Sequence, residues 1–371
     1  MNEEKKYALA LNCLPYMHPN MYHALLSRFG SARDVFMAPR DTLLEMRDLG
    51  APMADLIKTS DPMKLADDEI ALAQKLETNI YFLGDYDYPA PLADIHFPPP
   101  ILYIKGEWRK EDRLSFAIVG TRAPTAYGRH MAQKIAEGLA KAGICVVSGF
   151  AMGVDVAAHK AALKAGGRTV AVLGCGLNIN YPADHFSLKG KIAQNGAVMS
   201  QFGLTAAPGK TTFPIRNRVV AGLTLGTVVV EAPMSSGALI TASAALDSGK
   251  EVFSVPGPIN SKNSVGANRL IQRGHARLYM EVADLFDSLP DFARGWVTQR
   301  QMGLDLMAQK AIMELTDEEN VVARVLDKGE AHIDEVAGLC GLPLGKVSAI
   351  LLSLEIKGVV KQSAGKMFMR S

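Results

Sequence analysis

Cysteine is scarce in this chain of 371 residues: Cys13, Cys145, Cys175 and Cys340 lie far apart and form no C-x-x-C pair. That excludes a zinc knuckle and a disulfide scaffold and fits reduced thiols. No apolar run approaches the roughly 18 residues that a membrane-crossing helix needs. The charged start Met1-Asn-Glu-Glu-Lys-Lys6, with a short apolar stretch broken at Pro15, lacks the form of a signal peptide. A cytoplasmic protein with no membrane partner is expected. An excess of one charge is missing too: 40 basic against 38 acidic residues leave +2, so affinity for a polyanion has to come from local clusters. Two nucleotide signatures are absent, G-x-G-x-x-G after the first strand and G-x-x-x-x-G-K-[ST] anywhere. Neither NAD nor ATP is supported, and no cofactor is expected.

What is present is an ordinary globular composition, 48% hydrophobic, with room for several domains. Residues 1–70 read as a small helical unit, with helices from Tyr22, Ala32, Asp41 and Ala54 punctuated by Gly30, Pro39, Gly50 and Pro52. A further helical run from Asp67 to Glu77 leads into the Tyr- and Pro-rich stretch Asp85–Pro100, which reads as an ordered connector. From Phe116 the pattern changes to short, continuously apolar, β-branched runs starting at Phe116, Ile144, Thr169, Ala197, Thr227 and Glu251. Continuous apolarity suits strands buried on both faces of a parallel sheet, and the segments Arg129–Ala142, Val154–Ala165 and Ala238–Ser248 supply crossover helices. The spacing predicts a doubly wound, mostly parallel α/β domain over 75–287. A linker over 288–315 follows, then three helices and a hairpin turning at Ala364-Gly365 over 316–371, the pattern of a winged helix.

In such a sheet, ligands bind beyond the carboxyl ends of the strands. There the sequence places Gly120-Thr121-Arg122, Ser148-Gly149, Gly174-Cys-Gly176 and Ser236-Gly237. Glycines at these turns let backbone N–H groups approach an anion, or simply allow tight turns. Arg122 is suited to bidentate phosphate binding, unless it forms a surface ion pair. The densest cluster is Lys210-Thr-Thr-Phe213-Pro-Ile-Arg216-Asn217-Arg218. Cations pair with phosphates while a ring stacks on an unpaired base, so this cluster suits single-stranded nucleic acid; alternatively Phe213 is a core residue and the arginines pair with acidic neighbours. Pro214 presets a helix start, with Phe213 expected just before it. Asp155 and His159, four apart on a helix, read as an N-terminal carboxylate and a structural histidine, with no third ligand to make a metal site.

The runs Ala117-Ile-Val-Gly-Thr-Arg122, Val147-Ser-Gly-Phe-Ala-Met-Gly-Val-Asp155, Val172-Leu-Gly-Cys-Gly176 with Tyr181-Pro182, Phe213-Pro-Ile-Arg-Asn-Arg218, Ser236-Gly-Ala-Leu-Ile-Thr-Ala242 and Val255-Pro-Gly257 closely resemble the DNA-processing protein A family, DprA or Smf. The resemblance spans nearly the whole α/β domain. It implies a SAM-like helical N-terminal domain, a Rossmann-like domain and a C-terminal winged helix. It further implies single-stranded DNA binding by a homodimer that protects incoming DNA and loads the RecA recombinase in natural transformation, with single-strand-binding protein as a further candidate partner. Carried over by position, Arg122 and Gly149 fall in the phosphate pocket, Lys210, Arg216 and Arg218 add cations, and Phe213 stacks. Phe150 stands where the family has leucine, and Gln201 where a glutamate is common.

Two other readings compete. One is a nucleotide-hydrolysing enzyme of a related fold, whose P-G-G-x-G-T-x-x-E run supplies a catalytic carboxylate; here Glu231-Ala-Pro-Met-Ser-Ser-Gly-Ala-Leu-Ile-Thr-Ala242 has none after the glycine, so no enzyme is expected. The other is a transcriptional regulator reading duplex DNA through the winged helix. Its Lys346, Lys357, Lys361 and Lys366 make only a thin basic face, leaving duplex binding and protein docking both open.

Overall fold

The structure is a computed structural model that describes residues 1–182, 185–291, 293–295, 297, 315–357, 359–363 and 365–370. Most of the expected linker, together with Gly358 and Ala364 at the ends of the last helix and hairpin, lies outside the described residues. The chain divides into two compact units, Met1–Val297 and Thr298–Ser371. Among the described residues no single helix is long and apolar enough to cross a membrane.

The first unit begins with six helices: α1 (Glu3–Cys13), α2 (Pro19–Phe29), α3 (Ala32–Met37), α4 (Arg40–Leu44), α5 (Gly50–Thr59) and α6 (Pro62–Lys75). Helix α1 was not expected, because its apolar residues run consecutively from Tyr7 to Leu11 and show no helical stripe. Its start is nevertheless well specified: the Asn2 side chain accepts the Lys5 N–H at 2.9 Å, and Glu3 and Glu4 sit at the positive end of the helix dipole. Leu9, Ala10 and Leu11 are fully buried in a core that runs from these helices into Ile101, Tyr103, Ala171 and Val198 of the sheet.

The sheet has nine strands: β1 (Asn79–Phe82), β2 (Ile101–Gly106), β3 (Ser115–Val119), β4 (Cys145–Ser148), β5 (Thr169–Val172), β6 (Gly196–Ser200), β7 (Gly226–Val229), β8 (Glu251–Ser254) and β9 (Arg277–Leu278). Their order is β1-β2-β6-β5-β4-β3-β7-β8-β9; every pair from β6 to β9 is parallel, and β1 and β2 add antiparallel at one edge. The stretch expected to be a connector is bracketed by β1 and β2, which lie just outside its two ends and pair with each other. Tyr103 and Phe82 are buried there and Tyr86 is exposed. Crossovers are α8 (Ala126–Lys141), α9 (Val154–Lys164), α10 (Phe186–Asn195), α11 (Thr212–Leu223), α12 (Gly237–Asp247) and α13 (Val265–Gln272), following the short α7 (Ala90–Ala93) and preceding α14 (Val282–Asp287). Alternate residues of β3 serve opposite faces: Phe116 and Ile118 pack with α8, α9 and α14, whereas Ala117 and Val119 pack with α11 and α12. This two-sided burial is what the continuously apolar runs require.

In the second unit, α15 (Asp317–Val325), α16 (Ile333–Cys340) and α17 (Leu344–Ile356) pack with a sheet of β10 (Ala331–His332), β12 (Met367–Arg370) and β11 (Val360–Ser363), the winged-helix arrangement. A capping box opens α15, where Thr316 and Glu319 satisfy each other's backbone N–H groups.

At the amino ends of the strands, Arg168 donates to both oxygens of Asp112 at 2.6 and 2.7 Å, and Asp112 is only 1% exposed. Taking the guanidinium away strands a buried carboxylate. Arg168→Met is expected to lower the free energy of unfolding by about 3 kcal/mol, the low end for a buried pair since the arginine keeps some solvent, as measured by urea denaturation. Adding Asp112→Leu should recover most of the loss; a double variant no more stable than Arg168→Met refutes the coupling.

Candidate functional site

Strands β3 and β7 are neighbours although three strands separate them in the chain, because α11 carries the chain from β6 back across the sheet. The loops after β3 and β4 therefore part from the loop after β7, opening a cleft of about 400 Å³ at their carboxyl ends. Gly120, Thr121, Arg122, Gly149 and Asp155 line it from one side, Phe213, Arg216 and Asn217 from α11, and Ser236 and Gly237 from the start of α12. A second cleft of about 430 Å³ shares Arg122, Gly149, Phe213 and Arg216 and adds Gly174 and Tyr181. Phe213 borders both.

Helix α11 starts at Thr212, two residues earlier than Pro214 alone suggested, so Phe213 lies inside the first turn. The Thr212 hydroxyl donates to the Gly174 carbonyl at 2.6 Å, pinning that turn to the end of β5. A Cβ on Gly174 would fall 2.7 Å from the Phe213 ring, so glycine there makes room for the ring. Tyr181 stands beside it with ring centroids 5.8 Å apart, and the exposed Arg122 guanidinium lies 5.2 Å from the Phe213 centroid, in cation–π range. The ring itself is half-buried. In sequence Tyr181 stands beside Pro182, 32 residues before Phe213, and nothing local signals that the two rings meet.

Arg216 is placed differently from an open phosphate ligand. It is 5% exposed, and one guanidinium nitrogen donates to the carbonyls of Gly149 and Val172 while Nε donates to Asn217 Oδ1 at 3.1 Å. A Cβ on Gly149 would fall 2.6 Å from that guanidinium. Asp155 completes the arrangement: its Oδ2 accepts the N–H groups of Gly149 and Ala151, each at 3.1 Å. Burial pushes the Asp155 carboxyl up to about 6, with the Arg216 charge and the N–H bonds pulling it back. Burial likewise lowers Arg216 to about 10, opposed by Asp155. His159 is brought down to about 3 by burial and then by Arg216; its Nδ1 lies 2.7 Å from the Thr169 hydroxyl, which donates to the Val146 carbonyl. Among the described residues no group of three His, Cys, Asp or Glu could hold a metal ion.

The remaining sequence candidates divide. The Thr121 N–H is taken by the Glu231 carbonyl at 2.7 Å, and Ser236 Oγ caps α12 by accepting the Ala238 N–H at 3.2 Å, while Gly237 is exposed with open space over its Cα. Asn217 donates to the Gly237 carbonyl at 3.2 Å, tying α11 to α12. Ser148 is buried, donating to the Ile118 carbonyl at 2.6 Å, and Gly176 is enclosed, with the Leu204 carbonyl 2.1 Å from any Cβ placed there. Two cations stand apart from the cleft: Lys210, exposed on the loop before α11, and Arg218, which lines a small pocket with Pro19 and Asn20. In the winged helix, Lys346 and Lys357 on and after α17 pair with Glu318 and Glu319 at 2.5 and 2.6 Å, so half of the thin basic face is engaged within the unit.

The family model of DNA recombination-mediator protein A matches residues 79–290, and that of the DprA winged helix domain matches residues 308–366. Protein Smf of Synechocystis is 32% identical over 100% of this chain and 99% of its own length, and Protein Smf of Escherichia coli is 37% identical over 79% and 80%. Among solved structures, DNA processing protein A from Streptococcus pneumoniae superposes with a TM-score of 0.60 at 31% identity, covering 78% of this chain and 99% of that one. The Helicobacter pylori DNA processing protein A, solved for its single-stranded DNA binding mode, gives 0.51 at 30% identity over 56% and 94%.

The Asp155 carboxyl is raised from 3.8 to about 6, so the folded state holds its proton more tightly than the unfolded chain does. The stability this contributes is complete below about pH 4 and is lost as the pH rises to about 6. Relative to wild type, Asp155→Asn should therefore gain in unfolding free energy across that window, measured by denaturant titration at several pH values. A pH-independent difference between the two proteins counts against the raised carboxyl.

Proposed function

Because the chain belongs to the DNA recombination-mediator protein A family, we propose that its switch-point cleft binds single-stranded DNA, with one unpaired base on Phe213 and the adjoining phosphates at Arg122. The carrying observation is the half-buried Phe213 ring, bordered by Tyr181 and by the exposed Arg122 guanidinium, at the carboxyl edge of a parallel sheet. A ring offers its face to any base, and a neighbouring cation neutralises the backbone, a combination that suits an unpaired strand and leaves base identity unread. The Gly237 N–H at the positive end of α12 adds to the same field.

On this reading the protein acts by binding, as a homodimer that protects the strand and passes it to the RecA recombinase. The support for that finer role is family membership. The reading assigns residues 1–70 to a SAM-like domain, 75–287 to the DNA-binding domain, 288–315 to a linker and 316–371 to the winged helix. Burial of Arg216 recasts its part: it supports the site from beneath, through Gly149 and Phe213, and the outward cation is Arg122.

Fluorescence anisotropy of a labelled oligothymidine tests the assignment. Phe213→Ala should weaken binding by about 1–3 kcal/mol. Arg122→Ala should flatten the log–log salt dependence by about 0.7. Both effects should persist with duplex and mononucleotide competitors present. Unchanged affinity in both variants removes the cleft assignment, and displacement of the strand by a mononucleotide favours the hydrolase-type reading.

A further inference from the structure

The largest of the cavities described lies outside the switch-point clefts, between the N-terminal helices and α11. It measures about 700 Å³ and has an apolar wall including Leu14, Met17, Met21, Phe202 and Ile215. Its volume is that of a ligand pocket. The first turn of α11 separates it from the clefts: Phe213 looks onto those, whereas Thr212 and Ile215 look onto this cavity. Successive helix residues point about 100° apart, so a strand that leaves Phe213 around the end of the helix arrives here.

Tyr16, on the rim, carries two costs. Its φ is +65°, a left-handed conformation that a bulky residue rarely takes, and 86% of the residue is exposed. Among the described residues, no hydrogen bond or ring contact accounts for its side chain. Strain and exposure at one aromatic residue serve a purpose when the ring is held out for a partner. The surrounding charge identifies that partner. Lys210 is exposed between Gly209 and Thr211, both of which line the cavity. Arg218 lies close enough to His18, another lining residue, to help lower its imidazole pKa, though burial of the imidazole is the larger cause. The two cations left out of the switch-point cleft thus flank this one.

We infer that this cavity is a second nucleobase station: the strand held at Phe213 passes Lys210, places another unpaired base on Tyr16 against the apolar wall, and runs its phosphates between Lys210 and Arg218. The inference rests on the single-strand reading of the switch-point cleft. It gives the helical N-terminal segment a direct part in binding.

Anisotropy with two oligothymidines, of about 4 and about 16 nucleotides, the bounds of common single-strand site sizes, separates the stations. For the longer strand, Tyr16→Ala should weaken binding about 5- to 150-fold, the equivalent of one lost base stack, while Tyr16→Phe keeps wild-type affinity. The shorter strand should lose affinity with Phe213→Ala and be indifferent to Tyr16→Ala. Because Tyr16 is exposed, its replacement leaves the core untouched. If Phe213→Ala weakens both strands and Tyr16→Ala neither, the second station is overturned and the first survives. If wild type binds neither strand, both fall. As an independent readout, photocrosslinking of a 5-iodouracil-substituted 16-mer should label Tyr16, and adducts confined to Phe213 and Tyr181 speak against the inference.

Discussion

A single buried guanidinium holds the functional end of the sheet together. Arg216 reaches from α11 to the carbonyls of Gly149 and Val172, so it joins the ends of β4 and β5 to the helix that returns the chain to β7. A buried cation is tolerable only when its donors are satisfied and a counter-charge is near. The two carbonyls and Asn217 take three of its N–H groups, and Asp155 supplies the counter-charge. Asp155 in turn occupies the N–H groups of Gly149 and Ala151 and so fixes the loop that follows β4, in which Phe150 takes a φ of +58°. Phe213 is one helical turn before Arg216, and its ring lies 5.9 Å from the same guanidinium. The position of the Phe213 ring is therefore inherited from an ion buried beneath it.

The architecture of the sheet was legible because parallel strands covered on both faces must be apolar throughout, and the runs beginning at Phe116, Thr169 and Thr227 meet that demand. β1 and β2 were not, since Asn79–Phe82 is short and half-buried and the intervening prolines mask its pairing with Ile101–Gly106. Helix α1 escaped notice because its helical logic resides in a cap and in tertiary burial. Within the site, the cluster around Phe213 stood out by composition. What composition could not disclose was depth: Arg216 and Arg218 are two residues apart, yet one is buried and the other exposed, because positions two apart on a helix point in nearly opposite directions. The same limit applied to the glycines. Gly149 and Gly174 looked like places for a phosphate, and in the folded chain they make room for the side chains of Arg216 and Phe213.

The winged helix has a different charge logic from the switch-point cleft. Lys357 is tied to Glu319, whose carboxyl is held down at about 2, chiefly by that lysine, with help from the Thr316 N–H and the Ser353 hydroxyl. These bonds join the start of α15 to the end of α17. Leu344, Leu352 and Ile356 of the same helix are exposed. A helix whose flanking lysines are engaged within the domain and whose outer face is apolar carries little of the electrostatic footprint on which duplex binding depends.

The fit between glycine and side chain at the ends of β4 and β5 has a consequence for how this region tolerates change. At Gly149 the missing Cβ and the guanidinium of Arg216 fill complementary volumes, as do Gly174 and the Phe213 ring. An added methyl at either glycine is harmful only while its large partner is there, and truncating the partner leaves a void that the methyl would partly fill. The cost of one substitution therefore depends on its partner's state, which is non-additive coupling between contacting sites. Two positions in separate loops are bound to two positions on one helix, and the four form two interlocked pairs through which substitutions in the site are constrained to travel.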